Sequence, residues 1–173
     1  MSGALAGIAY AGQPSAQAVV KKITLTAHIG DSIFVSRPDG SAWYDVVELT
    51  ANDNTQKAFS KTLPIRVWTK NPDFIVTLAR PLRLSNGHGE MTNAKVALTG
   101  ADGTAIVAPD SVRKVTQVRP GDGGGFDEIH NLKISANAPA RNGAARANGS
   151  YSGDLVLLFE PTAASGDDGP IEQ

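Results

Sequence analysis

Residues 19–29 (VVKKITLTAHI) alternate strictly. The odd positions Val19, Lys21, Ile23, Leu25, Ala27 and Ile29 are apolar but for one lysine, while the even positions Val20, Lys22, Thr24, Thr26 and His28 are mostly polar. A period of two sends successive side chains to opposite faces of an extended chain, so this is a β-strand with one face that must be buried. Burial can come about in two ways. The strand can pair within its own subunit as the first strand of a sandwich, or it can leave and complete a neighbour's sheet by strand addition. Both satisfy the same alternation, and periodicity leaves both open.

What precedes this strand reads as an export signal. Residues 1–18 carry a short apolar run and end in Ala16-Gln17-Ala18, the small-x-small pattern that signal peptidase accepts, which puts cleavage before Val19. No Lys or Arg precedes the apolar run, so a plain Ala/Gly leader is the competing reading. No later stretch approaches the ~20 apolar residues of a membrane span.

Beyond residue 30 the chain reads as strand after strand. Gly and Pro number 28 together (18 and 10) and charged residues are 19%, which favours short strands and many turns. Residues 32–36 (SIFVS) form a short β-run closed by the Arg37-Pro38-Asp39-Gly40 turn. Residues 43–50 read as a strand with Val47 and Leu49 on one face. Residues 59–70 form a long strand that puts Pro64 at an edge or bulge, because proline cannot donate to a ladder. After the Asn71-Pro72-Asp73 turn, residues 74–78 return, and the two segments are expected to form a hairpin. Further strands are expected over 93–99, 104–108, 115–118 and 128–136, the last with Leu132, Ile134 and Ala136 facing inward. Residues 151–159, with the run LVLLF, read as a final strand covered on both faces. The tail from residue 162 is polar.

The ends of the chain carry a resemblance. VVKKITLTAHIGDSIFVSRPDGS resembles the start of mature major pilins of the class 5 fimbriae, the colonisation-factor and cable-pilus group assembled by the alternate chaperone pathway, and NGSYSGDLVLLFEP resembles their C-terminal strand. The resemblance implies an all-β, immunoglobulin-like sandwich that is incomplete and is completed by donor-strand exchange. It divides the chain into a signal-peptide remnant (1–18), an N-terminal donor strand (19–30), a pilin domain (31–161) and a polar tail (162–173). Val19, Lys21, Ile23, Leu25, Ala27 and Ile29 would then enter a neighbour's groove. Tyr151, Gly153, Leu155, Leu157 and Phe159 would form one wall of that groove, with Gly153 allowing the incoming backbone close. The implied partners are identical subunits, a periplasmic chaperone and an outer-membrane usher during assembly, and a tip adhesin. The implied location is a fimbria on the cell surface, reached through the periplasm.

Chemistry-bearing patterns are few. With 16 Lys and Arg against 17 Asp and Glu there is no basic field for nucleic acid or an anionic membrane. The chain has no cysteine, which excludes disulfides, thiolate metal sites and cysteine nucleophiles. His28, His88 and His130 lie in separate segments without a metal or triad spacing. Asp127 and Glu128 are adjacent on a strand and therefore point to opposite faces. Asn52-Asp53-Asn54 lacks the glycine and distal glutamate of a calcium loop. Gly121-Asp122-Gly123-Gly124-Gly125 lacks the following lysine and helix of a phosphate loop and reads as a flexible connection. Trp68 reads as a cover for the sandwich or a subunit contact before it reads as a sugar platform. Asn148-Gly149-Ser150 matches a glycosylation acceptor but reads better as a turn. No catalytic residue, metal ligand or cofactor is assigned. The alternatives to a structural pilin are a minor fimbrial adhesin, a carbohydrate-binding β-sandwich module, or a domain whose first strand folds back into its own sheet.

Overall fold

The computed structural model describes residues 32–140 and 148–162. Residues 19–30, the expected donor strand, lie outside the described residues, as do residues 1–18 and 163–173. Nine strands follow in order: β1 (Ile33–Ser36), β2 (Thr50–Ala51), β3 (Ala58–Thr69), β4 (Asp73–Leu78), β5 (Thr92–Gly100), β6 (Gly103–Val107), β7 (Arg113–Thr116), β8 (Phe126–Asn137) and β9 (Leu157–Pro161). One sheet runs β1-β3-β8-β5-β6, with β2 also on β3; the other runs β7-β4-β9. Every pairing is antiparallel.

The alternation of each strand decides which face is inside. On β3, Leu63, Ile65 and Val67 are buried; on β8, Leu132 and Ile134; on β5, Val96 and Leu98. They meet Phe74, Val76 and Leu78 of β4 and Val115 of β7 in one core between the sheets. Each fully buried aliphatic side chain contributes about 1.5–3 kcal/mol, and without crosslinks this packing carries the fold. The sandwich has two poles. At the first lie the start of β1, the end of β3, the start of β4 and the end of β9, through the pairs Ile33 with Thr69 and Phe74 with Pro161. At the second lie the start of β3, the end of β4 and the start of β9, where Leu78 pairs with Leu157.

Four expectations are corrected. Residues 59–70 and 74–78 do not form a hairpin: β3 and β4 belong to different sheets, and residues 70–72 step across the core. Each strand has one apolar face, and in different sheets the two faces bury each other across the core, an arrangement that the alternation allows as readily as a hairpin. Residues 43–50 are not a strand; only Thr50–Ala51 pairs, with Phe59 and Ser60, and residues 41–49 run without a ladder partner among the described residues. The last strand is Leu157–Pro161, not 151–159, and it alternates, with Leu158 45% exposed between half-buried Leu157 and Phe159. The glycine run is a built turn and not a loose connection. Gly123, Gly124 and Gly125 all have positive φ (78°, 91° and 81°), and a Cβ on Gly125 would press on the Trp68 ring.

Pro64 meets its requirement in an unforeseen way. It sits inside β3 opposite Asn131 of β8, yet β1 pairs only with residues 66–69 and β2 only with 59–60, which leaves β3 open between them. The Pro64 carbonyl accepts a hydrogen bond from the Tyr44 hydroxyl at 2.7 Å. In an antiparallel strand the nitrogen and carbonyl of one residue face the same side, so the missing N–H falls in this gap and no ladder bond is lost.

Candidate subunit-binding groove

β9 is an edge strand: among the described residues it pairs with β4 alone. Its inward side chains Leu157 and Phe159, with Leu155 just before it, are only partly buried while packing on the core. Across from them runs the unladdered strap of residues 41–49, whose Tyr44, Val47 and Leu49 are likewise partly buried against the core. Val47 and Leu49 keep the two-residue spacing of a strand face, whereas Tyr44 turns inward out of that register, and the strap has no ladder partner among the described residues. Val35 of β1 is likewise partly buried against the core.

Aromatic rings bridge the strap and β9. Trp43 meets Phe159 edge-on at 6.1 Å and Tyr44 at 5.9 Å, and Phe159 leans on Phe74 at 6.2 Å. The strap is pinned at Tyr44 by its bond to Pro64 and by the Arg37 guanidinium, 4.7 Å from its ring centre. Its outward residues Asp45 and Glu48 are exposed, as is Glu160 of β9, so acidic groups flank the apolar row.

The sequence-derived wall residues divide into two groups. Leu155, Leu157 and Phe159 are partly buried and pack against the core. Tyr151 and Gly153 precede β9 and pair elsewhere: Ser152 exchanges backbone hydrogen bonds of 3.0 and 2.9 Å with Ser85. Gly153 does permit a close backbone approach, but to its own chain, since a Cβ there would overlap the Arg83 carbonyl. Donor residues Val19, Lys21, Ile23, Leu25, Ala27 and Ile29 lie outside the described residues. Trp43, Tyr44, Val47 and Leu49 are the residues that sequence reasoning missed as a wall. Their alternation was visible, but not that they face β9 across a gap.

The buried polar groups form a tie between the sheets. His130 is fully buried, with Nε2 3.3 Å from Gln117 Oε1, and Gln117 Nε2 donates to Thr69 Oγ1 at 2.6 Å. Glu128 Oε1 accepts the backbone N–H groups of Val118 and Arg119 at 2.6 and 2.7 Å. Burial pushes the His130 imidazole below its ordinary pKa, and the nearby Glu128 and Asp102 carboxylates only partly offset this. Asp127, on the opposite face as its spacing requires, is gripped by Arg66, which holds its carboxyl below the usual range. Among the described residues no group of three or more His, Cys, Asp or Glu is placed to hold a metal, and no helix is long and apolar enough to cross a membrane.

Comparison with known proteins agrees with this architecture. The structure of the CooA pilin subunit from enterotoxigenic Escherichia coli superposes with a TM-score of 0.61 at 21% sequence identity, covering 74% of this chain and 86% of that one. No curated protein matches the chain in sequence. The family of the CS1 type fimbrial major subunit matches residues 19–160, from the first residue of the alternating strand to within one residue of the end of β9. With an immunoglobulin-like sandwich and a match over that span, the chain belongs to the CS1 type fimbrial major subunits, the class 5 major pilins, and is a structural subunit of a bacterial fimbria.

Proposed function

We propose that the opening between β9 and residues 41–49 receives residues 19–29 of a neighbouring subunit, and that fimbriae of this protein grow by this exchange. The observation that carries it is an edge strand and an unladdered strap facing each other across half-buried apolar side chains. A strand laid between them would complete the backbone hydrogen bonds of both and cover Leu157, Phe159, Tyr44 and Val47. Val19, Ile23, Leu25, Ala27 and Ile29 would face the core. Lys21 would lie at the rim, its stem on apolar surface and its amine in water. The segment 19–29 carries two lysines and no acid, which complements Asp45, Glu48 and Glu160.

Chain connectivity favours a neighbour's strand. Residues 30–32 reach at most about 14 Å, so a strand returning to its own groove would have to end near Ile33, at the first pole. It would run from the second pole to the first, parallel to β9, which also ends at the first pole. A strand from another subunit is free to run antiparallel. That direction brings the donor's body to the acceptor's second pole and leaves the first pole clear for the acceptor's own strand to depart. Head-to-tail growth then has no end.

Before exchange, an exposed apolar groove needs a cover in transit. A periplasmic chaperone and an outer-membrane usher supply it in this reading, a tip adhesin ends the filament, and cleavage before Val19 frees the strand. The subunit acts by being linked and performs no small-molecule chemistry. The test pairs Leu25→Cys with Leu157→Cys on differently tagged copies of this cysteine-free chain. Disulfides joining the two tags are expected in filaments; disulfides confined within single chains would replace exchange by self-complementation.

A further inference from the structure

Among the exposed apolar surfaces outside the groove, two lie at opposite poles and differ in shape. At the first pole, Phe34 on β1 points outward and is 59% exposed, directly opposite Trp68 on β3, which rests on the glycine turn. At the second pole a notch of about 140 Å³ opens between the sheets, lined by Leu78, Leu82, Val96, Ile106 and Pro109, with Lys95 on its margin. Ile106 there is 56% exposed. Phe34 lies outside the core and the notch opens onto the core's margin at Leu78 and Val96, so each is what a protein contact uses: an aromatic anchor and an apolar recess.

Resting on the exchange reading, we infer that Phe34 of each subunit seats in the second-pole notch of the subunit that accepts its strand, forming a body-to-body contact that fixes the angle between successive subunits. The occupant follows from chain length. An antiparallel donor strand ends beside Leu157, at the acceptor's second pole, and Phe34 follows Ile29 by five residues, a reach of about 17 Å at most. Leu78, which lines the notch, pairs with Leu157 on the neighbouring strand. The notch therefore starts about two strand spacings, about 10 Å, from the docked strand. The contact joins unlike surfaces, so it repeats along a filament without closing. Without it, a three-residue link would leave consecutive subunits free to swivel.

The absence of cysteine makes the test clean. Filaments are co-assembled from one tagged copy carrying Phe34→Cys and a differently tagged copy carrying Ile106→Cys, then mildly oxidised. Within one chain these positions lie on opposite edges of the sheet, four strand spacings or about 19 Å apart, too far for a disulfide. A dimer bearing both tags is the expected result. The Leu25→Cys and Leu157→Cys pair is run in parallel. If that pair crosslinks between tags and the 34–106 pair does not, the body contact is overturned and exchange stands. If the parallel pair fails, both fall together. As a second readout, Phe34→Glu should lower filament yield several-fold with unchanged binding of a synthetic 19–29 peptide to the free subunit; unchanged yield would count against the contact.

Discussion

At the scale of single residues, His130 is the group whose burial has the clearest consequence. The folded protein holds this imidazole neutral, with a pKa below the 6.5 of an exposed histidine, because burial disfavours its charge. The unfolded chain therefore binds more protons than the folded one as pH falls below about 6.5. Stability is full above that value and is lost as pH drops toward the folded pKa. The acidic groups act lower: Asp73 and Asp127 are held below 3.8 by Lys114 and Arg66, so their contribution goes only under more acidic conditions. Between pH 6.5 and 4.5 the unfolding free energy from urea titration should fall with a slope of at most about one proton, about 1.4 kcal/mol per pH unit. His130→Asn should be less stable at pH 7 but flatter across this window; an unchanged slope would assign the titration elsewhere. Gly153 makes a second residue-scale case. Its Cβ would overlap the Arg83 carbonyl, so Gly153→Ala should lower the melting temperature even though the position is exposed.

At the scale of elements, the proposed function makes β9 and the strap two halves of an unfinished sheet. Leu157 and Leu158 are neighbours on β9 facing opposite ways, the first onto the core and the second to solvent. Leu157→Asp places an unpaired charge where a docked strand would cover it, at a cost of several kcal/mol. Filaments are expected to be lost from that variant and kept in Leu158→Asp, as counted by electron microscopy. Equal behaviour of the two would mean that the inward face of β9 is not the receiving surface. Trp43 reports on the same event, because a strand entering the groove must part its ring from Phe159. Titrating the free subunit with the 19–29 peptide should shift the tryptophan emission, and a Trp43→Phe variant should lose that shift while still binding.

At the scale of the whole molecule, the proposed exchange makes stability and assembly one quantity. Burying Ile23, Leu25 and Ile29 is worth roughly 5–9 kcal/mol before ordering losses, comparable with the total stability of a typical domain. Direction matters here as much as area. β9 ends at the first pole, so a copy of residues 19–29 joined after residue 162 by a tight turn would re-enter the groove antiparallel to β9. Such a fusion, lacking the N-terminal copy, should be monomeric and melt roughly 10 °C or more above the unfused subunit. No gain in melting temperature would show that the groove does not accept an antiparallel strand.

Much of this protein is written in local pattern. The alternation of residues 59–70, 74–78 and 128–136 determined the strands and their inward faces, because a period of two depends only on the chain next to itself. The adjacent Asp127 and Glu128 had to part to opposite faces for the same reason, and the turn at Gly100-Ala101-Asp102-Gly103 joined β5 to β6 as its glycines allow. What alternation cannot carry is the identity of the partner strand. Residues 43–50 have a strand's pattern and no ladder, and β3 and β4 have a hairpin's spacing and lie in different sheets. The apolar character of Leu155, Leu157 and Phe159 was legible, whereas the approach of residues 43–49 to β9, seen in the Trp43–Phe159 ring contact, was not. Only the tertiary structure decided which edges meet, because backbone hydrogen bonds and apolar contacts between distant segments depend on where the chain crosses the core, and residues 70–72 could cross it or turn back with the same local sequence.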